Sequence, residues 1–102
     1  MNYEDREKVY TNALLRFGEE HQMVVAIEEM SELQKEITKF LRGTGNAGRI
    51  AEETADVLIC VEQIIYLLGI REMVDIQMDR KVMRLEDNLE KEAFGCGEEA
   101  GA

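Results

Sequence analysis

The chain contains no proline and no tryptophan, and it has only one histidine and two cysteines in 102 residues. Cys60 lies in an apolar segment and Cys96 in a glycine-rich tail, a distribution that excludes a disulfide-stapled scaffold and favours a reducing compartment. Leu, Ile, Met, Glu and Lys dominate what remains, and these residue types suit helices. We therefore expect a cytoplasmic, helical protein.

Long apolar runs and positive charge are also scarce. The apolar run Ile64–Leu68 is far too short to span a bilayer, and the charged N-terminus lacks the apolar region of a signal peptide. The chain has 12 Lys and Arg residues and 22 Asp and Glu residues, which gives a formal net charge of −10. This balance argues against a basic face for long nucleic acids, so we expect neither a membrane nor a nucleic acid polymer as partner.

Helical periodicity runs through most of the sequence. Apolar residues recur every three to four positions, and glycines interrupt the pattern at three places. This predicts an all-α fold, an antiparallel bundle of about four helices, in one domain over residues 1–92 with a flexible tail at 93–102. The predicted helices are Tyr3 to Phe17, Glu19 or Glu20 to Arg42, Arg49 to Leu68, and Glu72 to Glu92.

Two pairs of acidic residues are the strongest chemical signal. Glu29 and Glu32 are spaced three apart in the second predicted helix, and Glu53 and Asp56 have the same spacing in the third. Residues three apart share one face of a helix, so adjacent helices would converge four carboxylates. Hard divalent cations such as Mg²⁺ prefer these oxygen ligands, with Mn²⁺ as the alternative ion.

The two pairs carry unequal weight. Glu29 and Glu32 alone are better explained as a solvated acidic face. Glu53 and Asp56 interrupt a helix that is apolar around nearly its whole circumference, and such a helix is normally buried on most sides. Buried carboxylates need a partner, so the second pair favours a metal site.

Other metal sites are not supported. A di-iron carboxylate bundle requires Glu-x-x-His on two helices, whereas His21 is the only histidine and has Gly18 three residues before it. The chain also lacks the Asp-x-Asp-x-Asp-Gly loop of an EF-hand.

The double acidic motif, separated by a glycine-rich loop, resembles that of the MazG-like, all-alpha nucleoside triphosphate pyrophosphohydrolase superfamily. The resemblance covers about Gly18 to Leu68 and, more loosely, the basic positions of the last helix. The motif residues are Glu28, Glu29 and Glu32, followed by Glu52, Glu53, Asp56, Val57 and Leu58.

The resemblance implies a dimer or a dimer of dimers with an active site completed near the subunit interface. It also implies that Mg²⁺ is held by the carboxylates and that a nucleoside triphosphate is hydrolysed to a monophosphate and pyrophosphate, in nucleotide-pool cleaning. A neighbouring carboxylate would act as the catalytic base; the residues alone do not decide which one, and Glu28 and Glu29 are the candidates. The implied metal ligands are Glu29, Glu32, Glu53 and Asp56.

Positive side chains are expected to bind the triphosphate. For each lysine and arginine below, an exposed surface ion pair is the simpler explanation. For His21, the simpler explanation is a role at the start of the helix. The chain lacks the tryptophan that several relatives use around the base, which leaves the base preference open. The predicted substrate-binding residues are Lys39, Arg42, Lys81, Arg84 and His21.

Two alternative functions remain open at the level of sequence. One is phosphoribosyl-ATP pyrophosphatase activity within the same superfamily. The other is a non-enzymatic helical dimerisation or adaptor module whose acidic residues only keep it soluble.

Overall fold

The computed structural model describes residues 1–93 and contains four helices and no strand within that range. This confirms the all-α prediction. The helices are α1 (Tyr3–Phe17), α2 (Glu19–Leu41), α3 (Ala47–Leu68) and α4 (Arg71–Ala93). No helix of this part of the chain combines the length and the apolar character needed to cross a membrane.

The start of α3 differs most from the prediction, because the helix begins at Ala47 and not at Arg49. Asn46 adopts an extended backbone conformation and caps the helix, with its side-chain oxygen accepting a hydrogen bond of 2.9 Å from the Arg49 backbone N–H. An N-cap satisfies a donor that the first turn would otherwise leave unpaired. The sequence pattern assigned Asn46 to the loop without recognising this role.

We predict that Asn46→Ala lowers the free energy of unfolding by about 1 kcal/mol, the usual cost of losing a side-chain N-cap. Urea denaturation followed by circular dichroism measures the change. Asn46→Asp is the matched control, because aspartate caps as well as asparagine and should leave stability nearly unchanged. Equal destabilisation by both substitutions would show that the cap contributes nothing.

The turn between α2 and α3 is tight. Thr44 and Gly45 both donate backbone hydrogen bonds to the Lys39 carbonyl, at 3.0 and 3.2 Å. A Cβ atom at Gly45 would lie 2.8 Å from the Phe40 backbone nitrogen, so only glycine fits this approach. The short connection and the packing of α2 on α3 make the two helices an antiparallel hairpin.

The chain divides into two compact units, with the boundary along the sequence between Gly69 and Ile70. The first contains α1, α2 and α3, and the second contains α4, where Arg71 and Asp75 form an exposed ion pair of 3.8 Å. The single domain over 1–92 remains a prediction. Of the predicted tail 93–102, only Ala93 belongs to the described residues, as the end of α4, and Cys96 lies outside them.

The core of the first unit is small. Four side chains form it, those of Tyr10, Ala26, Cys60 and Ile65. The expectation that α3 is buried on most sides is wrong for the single chain, since Leu58 is 58% and Leu68 53% exposed. The physical reason is that α1 and α2 are the only helices of this unit that pack on α3, and they cover part of its circumference.

Side-chain hydrogen bonds connect α1 and α3. The Tyr10 hydroxyl donates a hydrogen bond to Glu62 Oε2, and Arg6 Nη1 lies 3.0 Å from Glu62 Oε1. A second pair joins Thr11 Oγ1 to the Tyr66 hydroxyl at 2.6 Å. Burial and the hydrogen bond to Glu62 raise the pKa of Tyr10 to about 12. Glu62 thus serves a structural role, although it interrupts an apolar helix in the same way as Glu53 and Asp56.

Candidate metal site at the helical hairpin

Three of the four predicted metal ligands converge between α2 and α3. One carboxylate oxygen each from Glu29, Glu53 and Asp56 forms a group whose members all lie within 4.8 Å of one another. Glu29 comes from α2 and the other two from α3, so the hairpin itself assembles the group. Glu29 and Glu53 are partly buried and Asp56 is exposed. An ion could therefore bind the three oxygens and keep open positions for water or phosphate.

The electrostatics of this group fit a cation. Partial burial raises the pKa of Glu53, and the charges of Asp56 and Glu29 raise it further, with smaller effects from Glu32 and Glu36. A raised carboxyl pKa means that the ionised form is disfavoured without a positive partner. The oxygen donors match the ligand chemistry of Mg²⁺ and Mn²⁺.

Glu32 and Glu28 do not belong to the group of converging carboxylate oxygens. Glu32 is exposed and lies outside the group of oxygens within 4.8 Å, although its charge acts on Glu53. The structure therefore brings together three of the four predicted ligands. Glu28, one of the two proposed bases, is exposed on α2 beside Glu29.

Glu36 is a buried acidic residue whose charge acts on Glu53, and the sequence did not single it out as a candidate ligand. It lies one turn beyond Glu32 on α2, and it is the one charged side chain that is buried among the residues described, at 5% exposure. Its Oε2 lies 3.4 Å from Lys39 Nζ. The spacing of Glu29, Glu32 and Glu36 on one helix face was the available signal, but an acidic face of this kind is usually solvated.

Cys60 lies one turn after Asp56 on α3. It is buried and free, and burial together with the charges of Glu29 and Asp56 raises the pKa of its thiol. A thiol held in its protonated form is neither a good nucleophile nor a good metal ligand. Cys60 is therefore a packing residue of the core.

The predicted substrate-binding residues are spread over both units. Lys39 is the one that the structure places beside the acidic residues, through its contact with Glu36. Arg42 is exposed at the C-cap of α2, and the exposed His21 ring packs on Phe17 with 5.2 Å between the ring centroids. Lys81 and Arg84 are exposed on α4, in the second unit.

Charge repulsion around Glu53 leads to a stability prediction. The pKa of the Glu53 carboxyl is higher in the folded protein than in the unfolded chain, so protonation of this group stabilises the folded state. This stabilisation is complete below the unfolded pKa and is lost as the pH rises through the folded pKa. At pH 7 in EDTA we therefore expect Glu53→Gln to melt at a higher temperature than the wild type. Glu20→Gln, an exposed neutralisation on the same helix as Glu29, is the control and should not raise the melting temperature.

The same variant should lose the stabilisation that Mg²⁺ or Mn²⁺ gives to the wild type, because only an ion bound to the folded state raises the melting temperature. Differential scanning fluorimetry with and without the ion measures both effects. A Glu53→Gln protein that melts below the wild type in EDTA would show that charge repulsion around Glu53 does not destabilise the folded protein.

Comparisons with protein-family models, with curated proteins and with solved structures found no match for this chain. Functional inference therefore rests on the chemistry of the acidic group and on its resemblance to a known motif.

Proposed function

We propose that this protein is a Mg²⁺-dependent nucleoside triphosphate pyrophosphohydrolase of the MazG-like, all-alpha type, with a role in nucleotide-pool cleaning. The observation that carries the proposal is the convergence of Glu29, Glu53 and Asp56 from two helices to within 4.8 Å. Like charges at close range are destabilising, and a bound cation removes that repulsion. A group that keeps three carboxylates together, two of them partly buried, is better explained by cation binding.

The proposed reaction is hydrolysis between the α- and β-phosphates, in which water supplies the oxygen that replaces the leaving pyrophosphate. When bound, Mg²⁺ would supply neutralisation of phosphate charge and a more acidic attacking water. Glu29, Glu53 and Asp56 would hold the ion, with Glu32 as the fourth proposed ligand. A carboxylate beside the water accepts its proton, and Glu28 and Glu29 are the two proposed bases.

Lys39 is the best supported of the proposed phosphate contacts. Its Nζ lies 3.4 Å from Glu36 Oε2, while 44% of its side chain is exposed. A flexible ammonium group at this position can turn from Glu36 towards a phosphate oxygen. Arg42 follows at the end of the same helix, and the parts of Lys81, Arg84 and His21 remain proposals from the resemblance.

Association into a homodimer or homotetramer belongs to the same proposal. A chain of about 100 residues normally buries a substantial core, but here four apolar side chains are buried among those described. Large apolar side chains on α2 and α3 are instead exposed, among them Ile27, Phe40, Leu58 and Ile59. Burying them against a second copy would supply the missing apolar contact.

Pyrophosphate release from a panel of canonical and modified nucleoside triphosphates tests this function, first with Mg²⁺ and then with EDTA. We expect release from at least one nucleotide with Mg²⁺ and none after chelation. Turnover of phosphoribosyl-ATP, included in the same panel, would instead identify the alternative pyrophosphatase activity. No turnover, together with a melting temperature that neither Mg²⁺ nor Mn²⁺ changes, would favour the adaptor module.

A further inference from the structure

The helix α4 carries an apolar stripe that is exposed in the single chain. Its members recur at intervals of three and four residues, so at 100° per residue they fall within a sector of about 80°. No side chain of residues 71–92 is buried, and that of Val82 is 62% exposed. Because helices are stabilised mainly by packing of an apolar face, this stripe requires a partner. The α4 stripe consists of Val74, Met78, Val82, Leu85 and Leu89.

The spacing of the α4 stripe is that of a short coiled coil. In a heptad written abcdefg, Val82 and Leu89 take the a positions, and Met78 and Leu85 take the d positions. A β-branched residue at a with leucine at d favours two parallel strands, and Val82 with Leu85 is this combination. Acidic residues occupy the next core position at either end, so the apolar seam is limited to these four residues.

The charges beside the stripe select the orientation of the partner helix. Lys81 lies at a g position on one side of the stripe, and Asp79 and Glu86 lie at e positions on the other side. In a parallel pair, each g residue faces the e residue of the following heptad on the other strand, so Lys81 meets Glu86 of the partner subunit. The two-fold symmetry forms this ion pair twice.

An antiparallel pair has the opposite electrostatics. It joins the two e sides and the two g sides, so Asp79 would face Glu86 of the partner subunit, and Lys81 would face its own copy. Like charges placed in this way are destabilising. The charge pattern of α4 therefore complements a second copy of itself in the parallel orientation.

We infer that α4 pairs with α4 of a second copy of this chain as a parallel two-stranded coiled coil. The seam buries Met78, Val82, Leu85 and Leu89, which are 44–62% exposed in the single chain. The inference rests on the proposed association into a homodimer or homotetramer and is independent of the proposed reaction. It assigns to that association a surface on α4, separate from the exposed side chains of α2 and α3.

Cross-linking in the full-length chain tests both the surface and the orientation. In a Cys96→Ala background, we expect Leu85→Cys to give a covalent dimer with a short bismaleimide, because equivalent core positions face each other across a parallel pair. Arg80→Cys, on the opposite face of α4, is the control and should not cross-link. The buried Cys60 is present in both variants. Cross-linking by both variants or by neither would overturn the inference. A cross-link that forms only when Leu85→Cys and Met78→Cys chains are mixed would overturn the parallel orientation.

Charge reversal tests the predicted ion pair. Lys81→Glu and Glu86→Lys should each raise the dissociation constant of the assembly by about three- to tenfold at low ionic strength, since each changes two pairs per dimer. The double variant should return to the wild-type value, and Arg80→Glu, with the same charge change as Lys81→Glu, should have no effect. Equal weakening by the double variant would contradict the pairing. Association and not turnover is measured, because Lys81 is also a proposed phosphate contact.

Sedimentation equilibrium separates this inference from the proposed association. We expect Leu85→Glu to lower the mass of the assembly or to weaken it, because a charge in the seam would be buried without a partner. A monomeric wild-type chain contradicts both proposals. A wild-type oligomer that gives no cross-link through Leu85→Cys, and whose mass and dissociation constant are unchanged by Leu85→Glu, overturns the α4 seam alone.

Discussion

Replacing Asp56 by alanine is expected to reduce Mg²⁺-dependent pyrophosphate release by about a hundredfold or more, while the helical content is unchanged. Even residues that only orient a metal ligand cost about 10- to 100-fold when they are lost, so removal of a ligand should reach at least the upper end of that range. Asp56 provides one of the three oxygens that lie within 4.8 Å. Its side chain is exposed, so alanine leaves no cavity.

Asp87→Ala, an exposed aspartate on α4, is the matched control and should keep full activity with the same change in charge. Steady-state pyrophosphate release across a range of Mg²⁺ concentrations separates the possible causes. A loss of metal affinity should be partly recovered at high Mg²⁺, whereas a folding defect should appear in the circular dichroism spectrum. Normal turnover by a folded Asp56→Ala protein would refute the proposed site.

The second large effect is expected at the junction of α1 and α3. Tyr10→Phe removes the hydroxyl that donates to Glu62 Oε2, and Tyr10 is one of the few buried side chains of the unit. Hydrogen bonds to charged groups contribute about 1.5–3 kcal/mol, so we expect a loss of this size in the free energy of unfolding. Tyr10→Ala should cost about 3–5 kcal/mol, because a buried aromatic ring is lost as well.

Tyr66→Phe provides the comparison for this prediction. It also removes an inter-helix hydrogen bond, that to Thr11, but the pair is exposed, so the expected loss is smaller. Urea unfolding of the three variants measures the differences. A Tyr66→Phe protein that loses more stability than Tyr10→Phe would show that the buried contact with Glu62 does not anchor α1.

The pH dependence of the same contact follows from the raised pKa of Tyr10, about 12 in the folded protein against 10.0 for the free side chain. The folded state keeps the phenolic proton longer than the unfolded chain, so the stabilisation is complete below pH 10 and is lost between about pH 10 and 12. The stability difference between the wild type and Tyr10→Phe should therefore shrink over this interval. A difference that stays constant to pH 12 would contradict the assigned pKa.

Local patterns were sufficient for the helices and for part of the site. Periodicity and glycine positions predicted α1 over Tyr3–Phe17 as observed, because spacing and helix-ending residues are local properties. The spacing of Glu29 with Glu32, and of Glu53 with Asp56, placed carboxylates on two helices joined by a short turn. Three of these four residues converge in the structure.

The burial of particular side chains could not be predicted in the same way. Glu32 lies three residues and Glu36 seven residues after Glu29, so the sequence places both on the same helix face as Glu29. Both look solvated there, yet Glu36 is 5% exposed and Glu32 is exposed. Conversely, the apolar circumference of α3 predicted burial that two neighbouring helices do not provide. The number of neighbours available to a helix is not encoded in its own periodicity.

The sequence by itself determined the all-α fold, the four helices and the two acidic pairs, because these depend on residues a few positions apart. Only the tertiary structure decided that Glu62 bonds to Tyr10 while Glu53 and Asp56 meet Glu29, although all three acids interrupt the same apolar helix. Their different roles arise from which neighbouring helix each one faces. That depends on the angle and level at which α1 and α2 pack on α3.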